Sequence, residues 1–315
     1  MRAALALLVL LGAVAGCAAP EYEPGKRRPL AAPPDVVLGE ERFDGKDGVK
    51  LLARSWRAGK GAPRATLAVV HGLKDHGDRY APLGEALARR GFAVHALDLR
   101  GHGDSEGDRV RVDDFDDYLD DLDLFLARVR AAEPGRPLFL FGHSMGGAIV
   151  ALHAIERKPE ARGLVLSAPA LKPGDDVSGF LIAVTGFLGT VFPTMAVLEL
   201  EDEAFSRDAA VVEDMRRDPL IYGGAGPART ARELLDALER IGERMEDVET
   251  PFLVLHGTDD RLTNPDGSRE LWARARSKDR TLRLYGGLFH DLLHEPEKAV
   301  VLEDVARWLE ARAAR

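Results

Sequence analysis

The chain has 315 residues, of which 45% are hydrophobic and 30% are charged, and its formal net charge is −9. This composition is typical of a globular protein large enough for one α/β domain with an insertion. The negative net charge, and the lack of a basic stripe with interleaved aromatic residues, argue against a nucleic-acid partner.

The first residues have the pattern of an export signal. A basic start precedes an uncharged run from 3 to 15, which is too short for a permanent membrane span. The sequence VAGC at 14–17 resembles the lipobox of bacterial lipoproteins, in which cleavage leaves a lipid-modified cysteine as the first residue. Cys17 is the only cysteine of the chain, so it cannot form an internal disulfide. The alternative is an ordinary cleaved signal that contains a cysteine by chance.

We therefore predict a signal peptide over 1–16 and a lipid anchor at Cys17. The anchor would hold the exported protein at the cell envelope, at the outer membrane or the cell surface. Residues 17–35 contain five prolines among charged and small residues, which favours an extended tether. The folded domain is expected over 36–315.

From residue 40 onward, short apolar runs alternate with helical patterns. A hairpin is predicted over 40–56 around Asp47-Gly48. Further strands are predicted at 66–70, 93–97, 137–141, 163–167, 252–256 and 281–285, and helices at 80–90, 148–158 and 297–311. This alternation predicts an α/β fold with a mostly parallel central sheet flanked by helices. Such sheets carry their functional sites in loops at the carboxyl ends of the strands.

The segment 112–129 contains seven aspartates between Asp113 and Asp123. A metal site is one reading, but the calcium-loop pattern fails because its central glycine and terminal glutamate are missing. Apolar residues recur at helical spacing through the same segment. The sequence therefore predicts an amphipathic helix with a solvated acidic face.

Between residues 170 and 250 the alternation of strands and helices lapses. The run 177–198 carries no charge and is long enough to span a membrane. A span here would place the two halves of one sheet on opposite sides of the bilayer, and polar and small residues lower the hydropathy of the run. We predict instead a helical cap region over 171–248 that covers the site. Its acyl-binding residues are expected to be Phe180, Leu181, Phe187 and Leu188.

A candidate nucleophile lies in the sequence GHSMG at 142–146. This segment matches the G-x-S-x-G pattern, and it has the required strand before it and helix after it. The small residues on either side of Ser144 would let the strand and helix pass closely. The serine would then stand at the amino end of a helix, where free N–H groups favour developing negative charge.

A serine nucleophile needs a base and an orienting acid, which in this fold follow it in the order Asp or Glu, then His. Two loops meet this requirement, at 256–262 and 286–291, and both come directly after predicted strands. Asp259 and Asp260 are adjacent, so spacing alone leaves the identity of the acid open.

Several motifs resemble one branch of the α/β-hydrolase superfamily, the monoacylglycerol lipases and lysophospholipases, also described as serine aminopeptidase-like. They are His71-Gly72 with His76 and Arg79-Tyr80, the sequence DLRGHG at 98–103, Phe115-Asp116-Asp117-Tyr118, Asp218-Pro219-Leu220, and Gly257-x-x-Asp260-Arg261-Leu262. The resemblance runs from about residue 43 to residue 309, and it departs from the family pattern in the cap region.

The resemblance implies that Ser144 is the nucleophile, Asp260 the acid and His290 the base. The backbone N–H groups of Leu73 and Met145 would form the oxyanion hole. The implied substrate is the ester of a single-chain lipid, a monoacylglycerol or lysophospholipid, with no metal or organic cofactor. The alternatives are a non-lipid carboxylesterase or thioesterase, an acyltransferase with the same triad, and a non-catalytic envelope lipoprotein.

Overall fold

The computed structural model describes residues 30–173 and 179–314. The predicted signal peptide, Cys17 and most of the predicted tether lie outside these residues. In chain order the strands are β1 (Val36–Asp44), β2 (Lys50–Ala58), β3 (Ala65–Val70), β4 (Phe92–Asp98), β5 (Leu138–His143), β6 (Gly163–Ser167), β7 (Ala196–Leu198), β8 (Gly226–Pro227), β9 (Phe252–Gly257) and β10 (Arg280–Tyr285). The helices are α1 (Ala81–Arg89), α2 (Asp116–Ala132), α3 (Met145–Glu156), α4 (Gly179–Val191), α5 (Ala209–Arg217), α6 (Ala228–Arg244), α7 (Pro265–Arg274) and α8 (Lys298–Ala313).

Eight of these strands form one sheet in the order β1-β2-β4-β3-β5-β6-β9-β10. Strand β2 runs antiparallel to both β1 and β4, and the remaining pairs are parallel. This arrangement confirms the predicted mostly parallel α/β sheet. The six parallel strands are β3, β4, β5, β6, β9 and β10. Their carboxyl ends meet at one edge of the sheet, where the loops that follow them can form a site.

The hairpin predicted around Asp47-Gly48 is confirmed. Strands β1 and β2 pair over their full length, and the turn places Asp47 at φ 57° and Gly48 at φ 77°. Both angles lie in the left-handed region, which aspartate tolerates and glycine adopts freely. The turn residues therefore explain why the chain reverses here.

Helices cover both faces of the sheet. Helices α1 and α8 pack on one face, and α2 and α3 pack on the other. The predicted acidic helix is confirmed as α2, whose apolar side chains are mostly buried, although Leu124 is exposed. Its acidic face is not wholly solvated, because Asp121 is fully buried and accepts hydrogen bonds from Arg100 at 2.7 and 2.9 Å.

The segment between β6 and β9 contains α4, β7, α5, β8 and α6. Helix α6 packs against α3 of the core, and α4 packs against α6. Helix α4 has 13 residues and ends before Pro193, so the uncharged run 177–198 is divided between α4 and β7. In the described part of the chain, no helix is both long and apolar enough to span a bilayer.

Candidate active site

Ser144 occupies a strained turn between β5 and α3. Its backbone has φ 54° and ψ −121°, a conformation that non-glycine residues rarely adopt. The turn is held in place on both sides, because the Ser144 N–H donates to the Ser167 carbonyl and the Ala170 N–H donates to the Ser144 carbonyl, each at 3.0 Å. The strain is thus offset by hydrogen bonds to the neighbouring strand end.

The two small residues of the motif are required by close packing. A Cβ atom at Gly142 would lie 2.4 Å from the Gly146 carbonyl oxygen, and one at Gly146 would lie 2.3 Å from the carbonyl oxygens of Val70 and His71. Side chains at either position would therefore push strand β5, helix α3 and the loop after β3 apart. This agrees with the reason for these glycines inferred from the sequence.

The loop after β3 lies directly against Ser144. A Cβ atom on Gly72 would meet the Ser144 Cβ at 3.0 Å. The loop is fixed by His71, whose Nε2 accepts from the Leu99 N–H at 3.0 Å and whose Nδ1–H therefore donates to the Gly72 carbonyl at 2.7 Å. His71 therefore anchors the loop and brings the backbone at Leu73 close to the serine.

His290 and Asp260 are hydrogen-bonded to each other. The distance between His290 Nδ1 and Asp260 Oδ2 is 2.8 Å, and both side chains are buried. Asp260 Oδ1 accepts from the backbone N–H groups of Leu262 and Thr263 at 2.8 and 3.0 Å. The carboxylate is therefore fixed in one orientation, with its other oxygen toward the imidazole.

The electrostatics of this carboxyl group favour its charged form. Burial raises the pKa of Asp260, but the charge of His290 and the hydrogen bonds from His256 and His290 outweigh burial and hold the pKa well below its usual value. Asp260 thus remains ionised and keeps the proton of His290 on Nδ1. The free nitrogen of a neutral imidazole is then Nε2, the atom that a general base needs.

Ser144 and His290 line one cavity of about 170 Å³, together with Leu73 and Met145. Met145 is the first residue of α3, so its backbone N–H has no acceptor within the helix. The Leu73 N–H makes no backbone hydrogen bond among the described residues. Residues that carry two N–H donors, a hydroxyl group and an imidazole therefore line the same cavity.

The cap region supplies most of the apolar wall of the cavity. The apolar cap residues that line it are Leu198, Leu200, Ala204, Phe205, Ala231, Leu234, Leu235 and Leu238. The cap also contributes the polar residues Lys172, Thr185, Glu199 and Glu201, and outside the cap the buried Asp75, which pairs with Arg79, lines the wall. The cavity wall is therefore mostly apolar on the cap side but carries charged groups as well.

Three of the four predicted acyl-binding residues do not line this cavity. Phe187 is 60% exposed, and neither Phe187, Leu188 nor Leu181 is among the residues that line this cavity. The side chain of Phe180 lies outside the described part of the structure. Helix α4 instead turns Thr185, which is 2% exposed, toward the cavity. The acyl-binding role of Leu181, Phe187 and Leu188 therefore stays a prediction that the lining of this cavity does not support.

Sequence reasoning missed a buried cluster behind the site. Arg79 donates to Asp291 at 2.6 Å and to Asp75 at 3.2 Å, and Tyr80 donates its hydroxyl to Asp75 at 3.0 Å. Burial raises the pKa of Asp75, but Arg79 and the nearby histidines outweigh it and lower the value to about 2. The only sequence signal was the placement of Asp75, Arg79 and Tyr80 in the loop after β3.

His143 is a second imidazole beside the base. Its ring centroid lies 4.7 Å from that of His290, and its Nδ1 lies 3.1 Å from the Ser167 carbonyl oxygen. Burial, reinforced by the charge of His290, lowers the pKa of His143 to about 4. His143 is thus neutral at physiological pH and packs beside the base as an uncharged ring.

Known proteins resemble this chain over most of its length. The family model described as serine aminopeptidase, S33 matches residues 61–297. A monoacylglycerol lipase of Mycolicibacterium smegmatis is 36% identical over 270 residues, which cover 86% of this chain and 96% of that protein. The human monoglyceride lipase is 34% identical over 271 residues, covering 85% and 89% of the two chains. The crystal structure of a monoacylglycerol lipase from Paleococcus ferrophilus has a TM-score of 0.74 at 29% identity, covering 88% of this chain and 99% of that one.

Proposed function

Since the chain belongs to the serine aminopeptidase, S33 family and is a carboxylic ester hydrolase of α/β-hydrolase fold, we propose that it hydrolyses monoacylglycerols through an acyl-enzyme on Ser144. The observation that carries this proposal is the shared cavity, whose wall includes both a serine on a strained turn and an imidazole held by a buried carboxylate. The similarity to monoacylglycerol lipases supports the choice of substrate.

The proposed reaction has two steps. Nε2 of His290 takes the Ser144 proton as Oγ attacks the ester carbonyl, and the imidazolium then protonates the departing glycerol oxygen. In the second step, water loses a proton to the same imidazole and attacks the acyl-serine, which releases the fatty acid and restores Ser144. Asp260 stabilises the imidazolium in both steps.

The negative charge that develops on the carbonyl oxygen needs hydrogen-bond donors. The N–H groups of Leu73 and Met145 are suited to this role, because both residues line the cavity next to Ser144. The amino end of α3 adds a favourable dipole. Loss of one such donor typically lowers the rate about 10²–10³-fold.

The cavity wall supports a single-chain substrate. Its apolar section under the cap suits an acyl chain, since each buried methylene contributes about 0.8 kcal/mol. The Asp75 carboxylate on the wall suits the free hydroxyl groups of glycerol, which can donate hydrogen bonds to it. Lysophospholipids are the second candidate, because Lys172 and Arg261 also line the cavity and could pair with a phosphate. Glu199 and Glu201 line it as well and would repel that phosphate, so monoacylglycerol is preferred.

A substrate panel tests the proposal. The purified domain is assayed on monoacylglycerols, lysophospholipids, acyl thioesters and short esters, with Ser144→Ala as the control and a fluorophosphonate probe to label the serine. We expect hydrolysis of monoacylglycerols with medium and long chains, and labelling that Ser144→Ala abolishes. Preference for acetyl or thioester substrates, or transfer of the acyl group to an added alcohol in preference to water, would point to one of the alternative activities.

We also propose that the enzyme works at a membrane surface. The exposed large apolar side chains of α4 and the turn after it form one group of neighbours in sequence, namely Ile182, Phe187, Val191, Phe192 and Met195. Together with the proposed lipid anchor at Cys17, this surface would hold the cap against the bilayer, from which single-chain lipids are taken up.

The anchor is tested separately from the cap. Metabolic labelling with a palmitate analogue should mark the wild-type protein and not Cys17→Ser, and only the wild type should sediment with membranes. A wild-type protein without label would remove the anchor from the proposal while leaving the esterase activity untouched.

A further inference from the structure

Asp260 has a second imidazole partner besides His290. His256, the fifth residue of β9, places its Nε2 3.1 Å from Asp260 Oδ2, the same oxygen that lies 2.8 Å from His290 Nδ1. The side chains of His256 and Asp260 are both fully buried. The carboxylate is therefore held between two histidines, of which the proposed mechanism uses only one.

The hydrogen bonds of His256 determine where its proton lies. Its Nδ1 is 2.7 Å from the hydroxyl oxygen of Ser268, a fully buried residue of α7. If Nδ1 carried the proton, the lone pair of Nε2 would face an ionised carboxylate across 3.1 Å, which is repulsive. The favoured tautomer has the proton on Nε2, which donates to Asp260, while the Ser268 hydroxyl donates to Nδ1.

Thr263 fits the same arrangement. Its hydroxyl oxygen lies 3.1 Å from the Ala168 carbonyl oxygen and 2.9 Å from Asp260 Oδ2, but it has only one hydrogen to donate. When that hydrogen goes to Ala168, the two imidazole N–H groups are the donors to Oδ2. The two backbone N–H groups on Oδ1 complete the set around the carboxylate.

We infer that His256 is a positioning residue of the reaction, which donates a second imidazole hydrogen bond to Asp260 and so sets how strongly that carboxylate holds the proton of His290. The inference rests on the proposed roles of Asp260 and His290. A carboxylate that already accepts a hydrogen bond from His256 attracts a positive His290 less strongly. The carboxylate therefore stabilises the imidazolium formed in the reaction less than it would without His256.

Other titratable side chains also lie near His290, and a test of His256 must leave their positions and charges unchanged. His143 packs against its ring, Asp75 lines the same cavity, and Asp291 follows it in the chain and pairs with Arg79. The pKa of His143 is about 4, which lies below the range in which a base such as His290 acts. The hydrogen-bond partners of the His256 ring in the described structure are Ser268, Asp260 and Thr263, so substitutions at 256 leave His143, Asp75 and Asp291 in place.

Two substitutions of similar size separate positioning from packing. In His256→Gln, the terminal amide extends to about the position of Nε2 and keeps a donor toward Asp260. In His256→Asn, the shorter amide reaches only the position of Nδ1, beside Ser268, and leaves Asp260 without this partner. The pH profile of kcat/KM on a monoacylglycerol is measured for both variants and the wild type, with thermal unfolding to compare their stability.

We expect the acid limb of the His256→Asn profile to move to higher pH by about one unit. At pH values well below the limb, this shift lowers kcat/KM about tenfold, and above the limb it has little effect. His256→Gln should return the limb to the wild-type position. A limb that stays in place in folded His256→Asn, or moves equally in both variants, overturns the inference. Should His256→Asn not fold, His256→Leu replaces it, because leucine fills the site without offering Asp260 a donor, and an unmoved limb again overturns the inference.

Failure of the proposed function gives a different result. If Asp260 were not the acid, the Asp260→Asn variant would retain activity, and the proposed function would need a different acid. If Asp260→Asn abolishes activity, the acid is confirmed, and the pH profiles of the His256 variants then decide the role of His256. The two conclusions are therefore separable within one set of variants.

Discussion

The carboxyl edge of the sheet and the cap region line the same cavity but are held by different forces. At the sheet edge, buried polar groups make directional hydrogen bonds, as in the contacts of Asp260, His290 and His71. The cap contributes mainly leucine, alanine and phenylalanine side chains to the cavity and exposes others to solvent. Directional bonds fix reacting groups to within tenths of an ångström, whereas apolar packing tolerates changes of shape. The proposed reacting groups therefore lie on the rigid sheet edge, whereas the wall that would contact the substrate chain lies mostly on the more adaptable cap.

A few polar contacts join the two parts. His76, in the loop after β3, lies 3.0 Å from Asp218 of the cap. Arg207 of the cap pairs with the buried Glu295 at 2.6 Å, and the Asp291 N–H donates to the Phe205 carbonyl at 2.8 Å. These contacts attach the cap close to the residues that follow His290.

The largest effect is expected at the sheet edge, from Asp260→Asn. The neutral amide cannot stabilise an imidazolium and favours the wrong tautomer of His290, so kcat should fall by about 10⁴-fold. Asp259→Asn is the matched control, because Asp259 is exposed and, within the described part of the chain, its side chain accepts a hydrogen bond from the adjacent Thr258 hydroxyl alone. Steady-state kinetics of both variants make the comparison, and a greater loss in Asp259→Asn would reverse the assignment of the acid.

A smaller effect is expected in the cap, from Leu235→Asp. Leu235 lines the cavity, so a carboxylate there would oppose burial of an acyl chain. We expect kcat/KM for long-chain monoacylglycerols to fall roughly 10- to 100-fold while short esters lose little, since a few unburied methylenes account for 1–3 kcal/mol. The measurement is kcat/KM across a series of chain lengths.

Phe187→Asp is the matched control for that experiment. Phe187 is exposed on the same cap, so its replacement should leave hydrolysis of dispersed substrate unchanged and weaken binding of the protein to lipid vesicles. If Phe187→Asp removed long-chain activity on dispersed substrate, the outward face of α4 would be part of acyl binding after all.

The smallest effect is expected at the contact between the two parts, from Asp218→Asn. Burial lowers the pKa of His76, but the hydrogen bond with Asp218 and the surrounding carboxylates outweigh it, and the net shift is upward. The pKa of Asp218 is shifted downward, because the hydrogen bond and charge of His76 outweigh burial. The ion pair therefore stabilises the fold above the usual pKa of an aspartate, near 4, and loses that contribution as the pH rises through the raised pKa of His76.

Thermal unfolding at several pH values tests this contact. Asp218→Asn should lower the unfolding temperature most near pH 5–6, with a cost of about 1–2 kcal/mol, and progressively less toward pH 9. An equal loss at every pH would mean that Asp218 stabilises the cap through the hydrogen bond that its carboxylate accepts from the Leu220 N–H and not through charge.

The sequence by itself determined the sheet, the turn at Ser144 and the order of the site residues along the chain. These features follow from local patterns, because a buried parallel strand must be apolar and a turn this tight requires glycine at 142 and 146. Histidine and aspartate after strand ends then fall at one edge for purely topological reasons. The boundaries moved by a few residues, as when α3 began at Met145 and not at residue 148.

Only the tertiary structure decided which face of the cap looks inward. Helix α4 carries no charge, so its sequence has no polar face to mark the outside, and packing against α6 alone turns Thr185 inward and Phe187 outward. In the same way, the adjacent Asp259 and Asp260 are distinguished by the path of the loop after β9, which buries one side chain and exposes the other. The hydrogen bond between His256 Nδ1 and Ser268 of α7 orients the ring so that its Nε2 meets Asp260. Residue spacing in the sequence does not predict this contact.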